Sequence, residues 1–293
     1  RGSYRFCDRA LVALVDHPTV VWEDSGITVE VVAGEPELLV KRLDNDRLRL
    51  ELSPALTTDG DVLAWQETPT RLKVVQITEQ HQRIGQLLGP NNQLEVPAEA
   101  QERVLQAISS ISTLVTVQSD IGGGVAAEEV PSDPTPHVHL LPAGDGLRVS
   151  MLAQPFANGG SYYPPGKGGE TVIAEIDGKR LQTQRDLVAE KRQAKAVRKA
   201  CPVLTENKPK QGEWLIEETA DCLELLLQLQ RLDDQVKLEW PQGEKYKVSR
   251  QLGINDFQFN IRRQQDWFAA SGEVQVSEGQ VLDVRQLLTL LDN

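Results

Sequence analysis

A chain of 293 residues is long enough for about two domains, and 40% hydrophobic residues supply a substantial core. The net charge of −12 makes the whole chain a poor electrostatic match for nucleic acid, and 5% aromatics argues against a base-stacking surface. Cys7, Cys201 and Cys222 show no C-x-x-C spacing, as expected of reduced thiols in a cytoplasmic protein. No apolar run reaches the ~18 residues of a membrane span, so no membrane role is expected.

The elements predicted in chain order begin with a short helix at 7–16. Strands follow at 19–22, 27–33, 37–43 and 47–52. Leu48, Leu50 and Leu52 alternate with Arg47, Arg49 and Glu51, the pattern of a half-buried antiparallel meander. Strands at 62–65 and 71–78 continue it. Helices are predicted at 79–88, ended by Gly89-Pro90, and at 98–111, where Val104, Leu105, Ile108 and Ile111 form an apolar face. A strand is read at 114–117.

Residues 120–136, DIGGGVAAEEVPSDPTP, lack periodicity and mark the expected domain boundary. This gives an acidic α+β subdomain at 1–130 and a second α+β subdomain at 135–293. The second half opens with hairpins at 137–153 and 171–184, then a basic helix at 185–200. A strand at 213–216 precedes an apolar helix at 219–232 with Thr219 as its N-cap. Strands at 236–240, 246–248, 257–262 and 274–276 and a helix at 281–291 complete the reading. Mixed order and many hairpins define α+β, mostly antiparallel sheets with several packed helices. The opening Arg-Gly-Ser without Met, and an end just after an apolar helical pattern, fit a fragment. No signal peptide is read.

The segment YYPPGKGGE at 162–170 invites comparison with a phosphate-binding loop, which requires G-x-x-x-x-G-K-[ST]. The residue after Gly166-Lys167 is Gly168, which has no hydroxyl. The upstream Gly160 is one residue too far away. The expected structure is a tight turn, stiffened by Pro164-Pro165.

Charge is uneven. Residues 179–210 hold ten Lys and Arg against three Asp and Glu. At 3.6 residues per turn, Lys191, Lys195, Arg198 and Lys199 share one helix face and Arg192 lies beside it. With Arg180 and Arg185 they form the candidate nucleic-acid-binding set. Two other readings stay open: cations paired with acidic neighbours, and a protein partner. His137 and His139 face one side of a strand, but two imidazoles without a third ligand are a weak metal signal. The acidic pairs Glu128-Glu129, Glu217-Glu218 and Asp233-Asp234 are expected on solvated surface. No catalytic residue, metal or cofactor site is predicted. Trp214, Trp240 and Trp267 are expected as core or interface anchors.

A series of ordered segments resembles the N-terminal accessory region of bacterial Swi/Snf-family helicases of the DEAD/DEAH type. They are ALVALVDHP at 10–18, GEPELLVKRL at 34–43, TPTRLKVVQIT at 68–78 and PHVHLLPAGDGLRVSMLAQPF at 136–156. YYPPGKGGE at 162–170, RDLVAEKRQA at 185–194, CPVL at 201–204 and DCLELLLQLQRL at 221–232 follow. LEWPQGE at 238–244 and DWFAASGEVQVSEGQVLDVRQLL at 266–288 complete the series. The resemblance implies a parent that couples ATP hydrolysis to movement on duplex DNA through two downstream RecA-like lobes. ATP and magnesium are implied for that motor alone, since this chain carries neither Walker motif. The implied partners are the motor lobes and duplex DNA. The alternative is an interaction scaffold in a multi-protein bacterial repair or defence complex.

Overall fold

A computed structural model describes residues 8–23, 26–56, 61–89, 91–124, 127–143, 146–210 and 212–241, and the backbone of 257–264, 267–277 and 280–283. It divides into two compact units, Arg1–Lys245 and Tyr246–Asn293.

The first unit begins with a 3₁₀ helix at Asp8–Leu14. Strands β1 (Glu30–Ala33), β2 (Glu37–Leu43), β3 (Arg47–Ser53), β4 (Val62–Thr68) and β5 (Arg71–Gln76) follow. Helix α1 (Glu79–Leu88) leads to β6 (Gln93–Pro97), and helix α2 (Gln101–Ile111) to β7 (Thr116–Ser119). Next come β8 (Glu128–Val130), β9 (Pro136–Ala143), β10 (Gly146–Ala153), β11 (Thr171–Ile176) and β12 (Lys179–Gln184). Helices α3 (Leu187–Ala200) and α4 (Pro202–Glu206), strand β13 (Glu213–Ile216), helix α5 (Thr219–Gln230) and strand β14 (Lys237–Glu239) complete it.

Three sheets organise these elements: β1-β5-β4, β13-β10-β9-β14, and a seven-stranded sheet ordered β6-β3-β2-β7-β11-β12-β8. The fold is α+β. Among the described residues nine strand pairings are antiparallel and four parallel. Alternation places Leu48, Leu50 and Leu52 of β3 in the core beneath α1 and α2, against Ile84, Leu88, Val104 and Ile108. Each fully buried aliphatic side chain of this kind contributes about 1.5–3 kcal/mol.

The seven-stranded sheet alters the expected domain plan. β7 pairs with β2 on one side and with β11 on the other. One sheet therefore runs through the boundary expected at 130–135, and the compact division falls at Lys245–Tyr246 instead. The loss of periodicity at 120–136 marks a surface excursion that includes the edge strand β8.

In the second unit, β15 (Phe257–Gln264), β16 (Trp267–Ser277) and β17 (Gln280–Asp283) form an antiparallel meander. Residues 281–283, expected to open a helix, pair with β16 as a strand. The strand expected at 246–248 and the rest of that helix lie outside the described residues. Among the described residues no helix is long and apolar enough to cross a membrane.

Candidate nucleic-acid interface

Helix α3 starts where the Asp186 carboxylate accepts a hydrogen bond from the Ala189 N–H at 2.8 Å. This satisfies one of the open donors of the first turn. Ala189, Glu190 and Val197 are its buried side chains. Lys191, Arg192, Lys195, Arg198 and Lys199 are all exposed. Among the described residues, none of the five makes an ion pair. Lys191, Lys195 and Lys199 follow one i, i+4 row, and Arg198 and Lys199 complement the negative end of the helix dipole.

The far end of this row is shaped by α4. Pro202 supplies the first position of α4, where its missing N–H costs nothing. The Thr205 hydroxyl donates to the Arg198 carbonyl at 2.7 Å, and the Trp214 ring lies 5.6 Å from the Arg198 guanidinium. An open groove of about 460 Å³ results, lined by Lys195, Arg198, Lys199, Pro202, Thr205 and Glu206.

Two expected members of the set have other roles. Arg185 has a fully buried side chain. Its Nε and Nη2 donate to Glu190 at 2.9 and 2.7 Å, and its Nη1 donates to the Lys167 carbonyl at 2.9 Å. Arg180 forks onto both oxygens of Glu35 at 2.9 Å, with its side chain 12% exposed. A desolvated guanidinium needs such partners, so both arginines hold the fold together rather than face a polyanion. Proximity in sequence had grouped them with the helix, whereas Arg185 meets Glu190 five residues on and Arg180 meets Glu35 across the fold.

The glycine-rich loop is fastened to the same helix. The Gly166 N–H donates to Glu190 at 2.9 Å and the Gly169 N–H to Gln118 at 3.3 Å, while the Lys167 N–H donates to the Pro164 carbonyl at 3.1 Å. Amides that would cradle phosphate in a P-loop are thus taken by the protein's own acceptors. Gly166 has φ +67°, and a Cβ there would stand 2.8 Å from the Leu187 carbonyl and from Lys191 Cβ. Lys167 follows this contact directly and is exposed. Nothing local in the sequence shows that the loop docks on α3.

A second polar cluster surrounds Tyr162. Its ring lies 5.0 Å from the Arg71 guanidinium, 5.4 Å from the His137 ring and 4.7 Å from the His139 ring. The two imidazoles share a face of β9, as their spacing predicts. His137 Nδ1 lies 2.9 Å from Glu239 Oε1, and this hydrogen bond holds the Glu239 carboxyl below its usual range. Burial pushes His139 down to about 4 and Tyr162 up to about 12. Lys73 reaches Glu67 at 2.6 Å and also donates to Ser161. Arg71 donates to Glu30 at 2.7 Å. These partners lie far apart in the chain, so no motif marks them. Among the described residues no group of three or more His, Cys, Asp or Glu is placed to hold a metal. The thiols of Cys201 and Cys222 are buried, and burial raises both, Cys201 to about 11.

No protein-family model, curated protein or solved structure matches this chain.

Proposed function

We propose that this chain is a non-catalytic accessory region of a cytoplasmic ATP-dependent Swi/Snf-type DNA translocase and that it contacts the phosphates of duplex DNA through α3. The observation that supports the reading is the row of exposed cations Lys191, Lys195, Arg198 and Lys199, with Arg192 alongside, none of them in an ion pair among the described residues of an acidic protein. Retaining such a face against a net charge of −12 concentrates attraction for a polyanion on one helix. The ordered resemblance to helicase accessory regions supplies the translocase context. In this reading ATP and magnesium belong to the motor lobes, and the chain turns over no ATP by itself.

Anisotropy titration of a labelled duplex tests the binding. The chain binds at ~50 mM salt, and log K falls linearly with log salt. Joint reversal of Lys191, Lys195 and Arg198 to Glu weakens binding and flattens the slope by about 0.9 for each lost phosphate contact. No binding at that salt, or equal binding by the triple variant, rejects the interface. ATP turnover by the chain alone above background rejects the non-catalytic role.

A further inference from the structure

The groove at the end of α3 follows from one residue. In a continuous helix the Arg198 carbonyl would accept from the N–H of residue 202, but Pro202 has none. The chain passes there into α4, and the Thr205 hydroxyl takes the open carbonyl at 2.7 Å. An acceptor that would repel an anion at the negative end of α3 is thereby occupied. The groove of about 460 Å³ is walled by residues of both helices.

Arg198 differs from the lysines beside it. Its guanidinium lies over the Trp214 ring, 5.6 Å from the ring centre. Trp214 is buried and itself fixed, its indole N–H donating to the Leu204 carbonyl at 3.0 Å. An aromatic face engages a guanidinium through its π surface and leaves the in-plane N–H donors open. Among the described residues the Arg198 side chain makes no hydrogen bond and no ion pair. Lys195 and Lys199 line the same groove, and Glu206 is the carboxylate in its wall. Three cations there face one anion.

We propose that this groove is a discrete site for a phosphoryl group, with Arg198 as a preorganised two-pronged donor to two of its oxygens and Lys195 and Lys199 as flanking point charges. The site deepens the α3 reading, on which only the source of the phosphoryl group rests. Thr205 uses its hydrogen on the Arg198 carbonyl, so the side-chain donors left in the groove are all charged. A cationic ligand meets three like charges there. A planar carboxylate matches the guanidinium fork alone, whereas a tetrahedral phosphoryl group presents oxygens to the fork and to the lysines at once.

The test is an NMR titration of the full chain with inorganic phosphate, and with acetate at matched ionic strength, followed at the Trp214 indole N–H and the Arg198 Nε–H. Phosphate shifts both saturably, and acetate binds several-fold more weakly. Arg198→Lys, which keeps the charge and loses the fork, weakens phosphate binding about tenfold. Glu206→Gln strengthens it several-fold, and Lys179→Ala, at an exposed cation outside the groove, leaves it unchanged. No saturation, shifts confined to other residues, acetate binding as tight as phosphate, or equal affinity in Arg198→Lys each overturn the site. Displacement of phosphate by a duplex without terminal phosphates supports the site and assigns the group to the backbone. Displacement only by a 5′-phosphorylated duplex supports it and assigns the group to a strand end. Saturable phosphate binding that no duplex displaces upholds the site and rejects the duplex reading.

Discussion

Arg185 and Glu190 form a two-bond ion pair whose side chains are both 0% exposed, and the same carboxylate takes the Gly166 N–H. One buried pair thereby joins the end of the β11–β12 hairpin, the first turn of α3 and the glycine-rich loop. Such a pair adds little net stability compared with apolar residues of similar volume, but it ties the first turn of α3 to the loop.

Removing one member strands the other's charge. Glu190→Ala is expected to lower unfolding free energy by about 3–5 kcal/mol in urea denaturation, because Arg185 stays buried without its partner. The double variant Arg185→Met with Glu190→Met loses distinctly less. Equal losses would mean that the pair's geometry, not the orphaned charge, dominates.

Gly166→Ala tests the docking of the loop. Its φ of +67° is a left-handed conformation, and the new methyl group meets the Leu187 carbonyl and Lys191 Cβ at 2.8 Å. Backbone strain of this kind costs about 1–3 kcal/mol. Thermal unfolding is expected to show a lowered midpoint. By contrast, a Cβ at Gly178, also at positive φ, meets nothing within 4 Å, so Gly178→Ala carries the strain without the collision and loses less.

Lys167 and Arg180 separate the two kinds of cation. Lys167→Ala is expected to flatten the salt slope of duplex binding by about 0.9, one phosphate contact, with little change in stability. Arg180→Ala leaves the slope unchanged but destabilises the chain, since Glu35 loses its two-pronged partner. Anisotropy at several salt concentrations, set beside denaturation curves, reads both effects.

His139 gives stability a dependence on pH. Burial holds its folded value at about 4 against an ordinary 6.5, with His137 and Arg71 pushing the same way and Glu239 opposing. Below pH 6.5 the unfolded ring takes a proton that the folded ring refuses. The contribution is therefore complete above pH 6.5 and is lost as pH falls from 6.5 toward 4, about 3 kcal/mol in all. Urea midpoints measured across that window are expected to fall with acid, and His139→Gln flattens that part of the profile.

Local pattern carried much of the fold. Alternation in Arg47–Ser53 buries Leu48, Leu50 and Leu52, and the α3 residues 187–200 fall inside the helix read at 185–200. The shared face of Lys191, Lys195 and Lys199 follows from helical period alone. Less was legible where pairing is remote. β6, β8 and α4 carry weak periodicity and are defined by neighbours; β6, for instance, exists as a partner of β3. Glu218, not Thr219, occupies the N-cap position of α5, and its side chain makes no capping hydrogen bond.

The sequence by itself determined the basic helix, the half-buried strands and the mismatch of 162–170 to the phosphate-loop motif, because period, charge and spacing are properties of neighbouring residues. Only the tertiary structure decided which cations face solvent. Arg185 and Arg180 look no different from Arg192 along the chain, yet folding brings Glu190 and Glu35 to the first two and leaves the third exposed. It also seated Gly166 on Lys191 and set the Trp214 ring beneath Arg198. Desolvation and ion pairing depend on distances across the fold, which a linear pattern does not encode.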